Sequence, residues 1–216
     1  MVHAITRRNA YLYQDELEQC YRLRHEVFVE ESGWEDIRRP DGREIDQFDT
    51  EDAVHLAALR GGKVAAYVRL LPTLKPHLLS EVYPQLCQVG PIPRGHDIVE
   101  LTRYCVAPNF RSGRSFNEAG AALMAGMLEY CLMNGIRQIS GEGHPIWVTR
   151  YLELGFDVSP LGLPQDYKGN LVVAMLAKID EGTLIRTRAA GGIGPSVLRD
   201  RLEFPDGIDS EEIVVA

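Results

Sequence analysis

The chain has 216 residues, 45% of them apolar and 25% charged, with a formal net charge of -8. That length and apolar content can fill a core in one domain, which excludes disordered and fibrous classes. No run approaches the ~20 apolar residues of a membrane-spanning helix, the N-terminus lacks a signal-peptide block, and the acidity disfavours general nucleic-acid binding; a cytoplasmic protein without membrane or nucleic-acid partners is expected.

Val2 to Ile5 reads as a first strand. Leu17, Cys20, Tyr21, Arg24, Val27 and Phe28 then recur at three- and four-residue spacing, as on one face of a helix. Arg24 thus falls on an apolar stripe. There it needs a carboxylate or a ligand, because an unpaired buried charge costs several kcal/mol, or else it snorkels to solvent. Residues 32 to 52 are polar and turn-rich, with Trp34 and Phe48 as the large apolar anchors, and a loop of this length reads as a lid. Residues 30–52 carry a net -7 and the tail from Arg199 a net -4, leaving +3 on 53–198. An acidic lobe favours a cationic ligand and a basic body a phosphate-bearing one, although a charge run is usually a solvated face.

Ala53 to Arg60 and Lys63 to Pro72 read as strands joined by Gly61-Gly62, a tight hairpin. After a Pro-punctuated stretch, Ile98 to Val106 is a strongly apolar segment carrying Glu100 and Arg103. Phe116 to Asn134 reads as a buried helix, Ile136 to Gly141 as a strand, Ile146 to Leu154 as a helix stopped by Gly155, and Leu171 to Lys178 as a last strand. This order predicts an α/β fold, a single-domain three-layer mixed sheet with helices on both faces. The domain is expected over 1–180, with an N-terminal lobe at about 9–52 and an acidic, loosely packed tail over 181–216.

The four cysteines form no C-x-x-C pair, and the six histidines show no H-E-x-x-H or related spacing. Neither a G-x-S-x-G elbow nor a G-x-G-x-x-G after a strand occurs. Covalent catalysis, a metal and a dinucleotide cofactor are therefore not expected. One local signal remains. Arg111, Gly113 and Arg114 precede a helix, whose N-terminus suits a pyrophosphate, although Arg and Gly there more often mark a plain turn.

Five blocks together are far more specific: Arg24-His-Glu-Val-Phe28, Trp34, Glu44-Ile-Asp46-Gln-Phe-Asp49, Val68-Arg69-Leu-Leu-Pro72 and Glu100-Leu-Thr102-Arg103-Tyr104-Cys-Val106. In order and spacing they resemble the acyl-homoserine-lactone synthases, the autoinducer synthases, over roughly residues 21–156. The resemblance implies a fold similar to the CoA-dependent N-acetyltransferases. It also implies an acyltransferase that joins an acyl thioester to the amine of S-adenosylmethionine, releases methylthioadenosine and closes a quorum-sensing lactone. Both reactants are substrates, and no cofactor or metal is implied.

The same resemblance assigns roles. The lobe would bind S-adenosylmethionine. Arg24 and Arg103 would form an ion network with Asp46 and Asp49 and clamp the substrate carboxylate, the two carboxylates biasing the site toward a cation. Phe28 and Trp34 would wall the adenosyl and sulfonium region. Arg69 is implied as a structural member of the network. Glu100 is implied as the general base that takes the ammonium proton, the alternative being a salt bridge to Arg103. Residues 100 and 103 face opposite sides of an ideal strand, so a bulge or strong twist near Thr102 is predicted.

The acyl and pantetheine side is implied at Thr102, Tyr104, Val106, Met124 and Trp147, with Arg111 and Arg114 gripping CoA phosphates. Met and aromatic residues at such spacing are core filler in most proteins. Bulky Tyr104 and Trp147 favour a short branched or aryl acyl group, and Ser140-Gly-Glu-Gly143 departs from members that hold a 3-oxo group with Thr or Ser. Net acidity disfavours an acyl carrier protein, so acyl-CoA is the expected donor and acyl carrier protein the alternative. A CoA-dependent N-acyltransferase for another amine and a non-catalytic acyl-ligand sensor remain open as other functions.

Overall fold

The apolar runs assemble into one mixed sheet in the computed structural model, which describes residues 1–111 and 118–199. β1 (Val2–Ile5), β2 (Val54–Arg60), β3 (Lys63–Pro72) and β4 (Ile98–Val106) pair antiparallel in turn. Gly61 and Gly62 close the β2–β3 hairpin at φ of 56° and 76°, the left-handed values that a two-residue turn requires. β5 (Gln138–Gly143) runs parallel to β4, and β6 (Asp157–Pro160), β7 (Gln165–Tyr167) and β8 (Asn170–Lys178) complete that end, with β8 antiparallel to β5.

Helices cover both faces, as expected. On one face α1 (Gln14–Arg24) buries Cys20 and Leu23 against Ala57, Tyr67 and Cys105. α2 (Leu78–Glu81) is a single turn that sequence periodicity did not reveal. On the other face α3 (Glu118–Met133) is apolar on nearly every side because it lies between the sheet and a further helix, α5 (Glu181–Gly191). α4 (Ile146–Glu153) packs near β6. Among the described residues no helix is long and apolar enough to cross a membrane.

α3 comes close to β1 at Gly126, where an added Cβ would stand 2.7–2.8 Å from the Val2 side-chain carbons. Alanine ordinarily improves a helix by about 1 kcal/mol over glycine. Here the overpacking term of about 1–3 kcal/mol should win. Gly126→Ala is expected to lower the urea midpoint, whereas a raised midpoint would show that β1 gives way freely.

Residues 181–199, expected as part of a loosely packed tail, are instead anchored to the sheet and to α3. Asp180 caps α5 by accepting the Thr183 N–H at 2.7 Å, and Thr183, Leu184 and Thr187 are buried. Glu129 of α3 accepts the Leu198 N–H and the Ser196 hydroxyl, each at 3.0 Å, and pairs with Arg188. It thereby seats β9 (Leu198–Arg199) beside β1. Composition registered the glycines and acids there, whereas a buried carboxylate on a distant helix supplies the anchor.

Two irregularities of β4 shape the site. β4 pairs with β5 only over Ile98–Glu100 against Gln138–Ser140, so the two strands part beyond that rung and a wedge opens between them. On its other edge Tyr67 pairs with Cys105 and Arg69 with Thr102, so Val68 alone faces both Arg103 and Tyr104. Arg103 takes φ 57°. This is the bulge predicted near Thr102, and it turns the Arg103 side chain toward the lobe.

Candidate active site

The lobe is built around a buried ion network. α1 ends at Arg24 and runs directly into a wide π-type turn, His25–Glu31, which keeps Phe28 and Val29 facing inward. Arg24 is fully buried: Nε donates to Glu44 at 2.6 Å and the two terminal nitrogens to Asp49 at 2.7 and 2.9 Å. The carboxylates owe their placement to a local turn. Asp49 accepts the Asp46 N–H and Asp46 the Phe48 N–H, both at 2.8 Å, so residues three apart present their oxygens together.

Arg69 of β3 grips Asp46 with two bonds of 2.6 and 2.9 Å and reaches Asp49 at 2.8 Å. Arg103 of β4 donates to Glu44 at 3.0 Å and Asp46 at 2.8 Å. Three guanidiniums thus face three carboxylates. Burial pushes Asp46 and Asp49 up, but the arginines outweigh it: Arg69 holds Asp46, and Arg24 holds Asp49, below the ordinary carboxylate range.

This arrangement corrects two expectations. The network is neutral, so Asp46 and Asp49 have no surplus charge with which to bias the site toward a cation. Arg24 is sealed and saturated, so it cannot clamp a substrate carboxylate itself; it holds the lobe. Arg103 is the member that reaches the aromatic wall, its guanidinium 5.6 Å from the Phe28 ring and 5.8 Å from the Trp34 ring. Those rings stack at 5.0 Å, and Trp34 is 44% exposed. The segment expected as a lid is fixed at 44–49 by these ion pairs and by buried Phe48.

Glu100 lies at the apex of the wedge. Its two oxygens accept the Leu78 and Leu79 N–H groups of α2 at 2.8 and 2.6 Å, and the residue is fully buried. The alternative salt bridge to Arg103 is not formed, since Arg103 is turned to Glu44 and Asp46. Burial pushes the Glu100 carboxyl up to about 7 against the two N–H donors. A carboxyl titrating there can exchange a proton at neutral pH.

On the far side of the wedge Tyr104 and Trp147 meet edge to face at 5.6 Å, with Arg150 over Trp147 at 5.0 Å. Met124 and Val106 are buried in the main core beside them. Thr102 departs from its expected acyl role: its hydroxyl accepts from Arg69 Nε at 3.0 Å, which puts it on the network side of the strand. Arg111 donates to the Val106 carbonyl at 2.9 Å and to Glu31 at 2.7 Å, tying β4 to the lobe. Arg114 lies outside the described residues.

Sequence reasoning missed four members. Glu44 stands in one of the five blocks without an implied role of its own, yet it is fully buried between Arg24 and Arg103. His55 and Tyr67 bond at 2.7 Å beside Arg24, and burial pushes His55 down to about 4, leaving it neutral. Glu142, on β5, has its carboxyl against Glu100. Glu44, three arginines and the E-x-D-x-x-D spacing were a readable signal. Glu142 carried none, since nothing in its own segment demands a carboxylate.

A mixed sheet with helices on both faces defines a class of fold, shared with a putative N-acetyltransferase from Lactobacillus plantarum (TM-score 0.54, 20% identity, 83% of this chain and 99% of that one). Residues 9–184 match the family model described as autoinducer synthase. The chain is 42% identical over 211 residues to the isovaleryl-homoserine lactone synthase of Bradyrhizobium diazoefficiens, covering 98% of this chain and 90% of that one. The structure of a CoA-dependent acyl-homoserine lactone synthase, BjaI, with SAM and isopentyl-CoA superposes with a TM-score of 0.87 at 42% identity, covering 93% and 92% of the two chains. This chain belongs to the autoinducer synthase family and is an acyl-homoserine-lactone synthase, an acyltransferase.

Proposed function

We propose that this enzyme transfers a short branched acyl group from CoA to the amine of S-adenosylmethionine and then closes the homoserine lactone, releasing methylthioadenosine. The observation that carries the reading is the meeting of three parts at one fork: the Phe28–Trp34–Arg103 wall, Glu100 at the apex, and the Tyr104–Trp147 pair opposite. With a neutral network beneath, the sulfonium is attracted by the aromatic faces and the substrate carboxylate by Arg103. Asp46, Asp49, Glu44, Arg24, Arg69 and Thr102 hold that wall in place. Glu100 takes the ammonium proton, so that the neutral amine can attack the thioester carbonyl. Ring closure is intramolecular and gains its rate from proximity.

The branched donor is favoured by the two bulky rings in the wedge and by the relative named for isovaleryl transfer. The test is incubation with S-adenosylmethionine and a panel of acyl-CoA and acyl-carrier-protein thioesters, following methylthioadenosine and product mass. A branched acyl-CoA should give the highest rate. No methylthioadenosine with any donor would falsify the reading, and preference for the carrier protein would reassign the donor. Trp147→Ala should raise kcat/KM for octanoyl-CoA relative to isovaleryl-CoA by about tenfold or more, since each methylene a pocket admits or refuses is worth about 1–3 kcal/mol. An unchanged ratio removes Trp147 from the acyl wall.

A further inference from the structure

We infer that Glu142 is the proton-holding partner of Glu100: its protonated carboxyl donates a hydrogen bond to the Glu100 carboxylate and keeps that buried base ionised. The inference rests on the reading of Glu100 as the base and names a residue that sets its protonation.

Sheet register brings the two together. Glu100 pairs with Ser140 at the last rung of β4–β5, and Glu142, two residues further along β5, returns to the Ser140 side of the strand. The two carboxyls are within hydrogen-bonding reach of each other. Glu100 has two backbone N–H donors, from Leu78 and Leu79. Oε2 of Glu142, in contrast, is sealed from solvent and meets no donor among the described residues.

Two ionised carboxylates in contact away from water repel, and an ionised oxygen without a donor is unfavourable there. One shared proton removes both penalties. Its location follows from the donors: the N–H groups favour the charged form on Glu100, so the proton belongs to Glu142. In the same sense, burial and then the Glu100 charge push the Glu142 carboxyl well above the usual range. The other titratable groups that bear on the pair are Arg69 and Arg103 from β3 and β4, and Tyr83 and Cys87 from the segment after α2. The arginines favour one negative charge on the pair but are themselves bound to Asp46, Asp49 and Glu44. When the ammonium gives up its proton to Glu100, both carboxyls become neutral and the proton on Glu142 is retained. Glu142 is therefore a positioning residue that acts on the reaction only through Glu100.

The test compares the pH dependence of kcat/KM in wild type, Glu142→Met and Glu142→Gln, with methylthioadenosine as the readout. Methionine fills the space but donates nothing, so the acid limb should move to higher pH by on the order of one unit. Glutamine still donates an N–H and should restore the limb to near its wild-type position. Both variants moving the limb to lower pH would mean two repelling carboxylates, and no movement in either would mean no proton link; each result overturns the inference. A carboxyl titration of the unmodified, substrate-free protein by infrared difference spectroscopy stands apart from activity. It should show one carboxylic acid persisting above the Glu100 value of about 7, far above the ordinary glutamate pKa of roughly 4.3. Full ionisation of the carboxyls once Glu100 has ionised overturns the inference as well. Failure of wild type to form methylthioadenosine would instead sink the functional reading, with the titration still deciding whether the pair shares a proton.

Discussion

Glu100→Gln is expected to lower kcat by about a hundredfold or more, the usual range for removing a general base being about 10²–10⁴. Binding of S-adenosylmethionine should change little, because Phe28, Trp34 and Arg103 do not depend on the Glu100 charge for their positions. The two backbone N–H groups of Leu78 and Leu79 complicate the comparison, since an amide can accept only through its oxygen. Turnover and the dissociation constant for S-adenosylmethionine must therefore be measured together. If both collapse in parallel, Glu100 is a prop for α2 and not the base. If kcat alone falls, the carboxylate acts on the ammonium proton.

The second large effect concerns stability. Arg69 is fully buried, and its guanidinium serves both Asp46 and Asp49. Arg69→Met leaves those carboxylates with less compensation in a dry interior, and breaking one side of a buried pair costs about 3–5 kcal/mol. The urea midpoint should fall accordingly, and Asp46→Asn added to Arg69→Met should recover part of the loss, since residues of one network couple by about 0.5–3 kcal/mol. Simple additivity of the two losses would contradict a shared network. Acid provides an independent handle. Asp46 and Asp49 have folded-state pKa values below their unfolded ones, so the stability they contribute is fully present above the unfolded aspartate value of roughly 3.9 and is lost as pH falls toward the depressed folded values. The difference in unfolding midpoint between wild type and Arg69→Met should thus hold between about pH 7 and 5 and shrink below about pH 4.

Both effects arise from the same construction. Ion pairs that cross from lobe to sheet fix the aromatic wall beside the wedge, and the wedge exists because β4 leaves β5 after Glu100. A site that must hold a sulfonium amino acid against a thioester gains from such preorganisation, because the reacting groups are then brought together without further ordering.

Much of this was legible in the chain itself. Apolar runs bounded by turn residues located β1 to β4, three- and four-residue spacing located α1, and Gly61-Gly62 announced its hairpin, because those features depend on neighbours a few residues apart. Arg24 on an apolar stripe already called for a carboxylate, a ligand or an escape to solvent, and the roles that the resemblance implied for residues 100 and 103 already called for a bulge. Five blocks of charged and aromatic residues pointed to the family. Which partner each charge would find was decided only by the tertiary structure: Glu44 and Asp49 for Arg24, Glu44 and Asp46 for Arg103, and Glu142 for Glu100. The seating of α5 and β9 on Glu129 belongs to the same group. Local periodicity is written along the chain, but the pairing of distant groups follows from strand register and from which buried oxygen lacks a donor, and neither quantity exists until the sheet has closed.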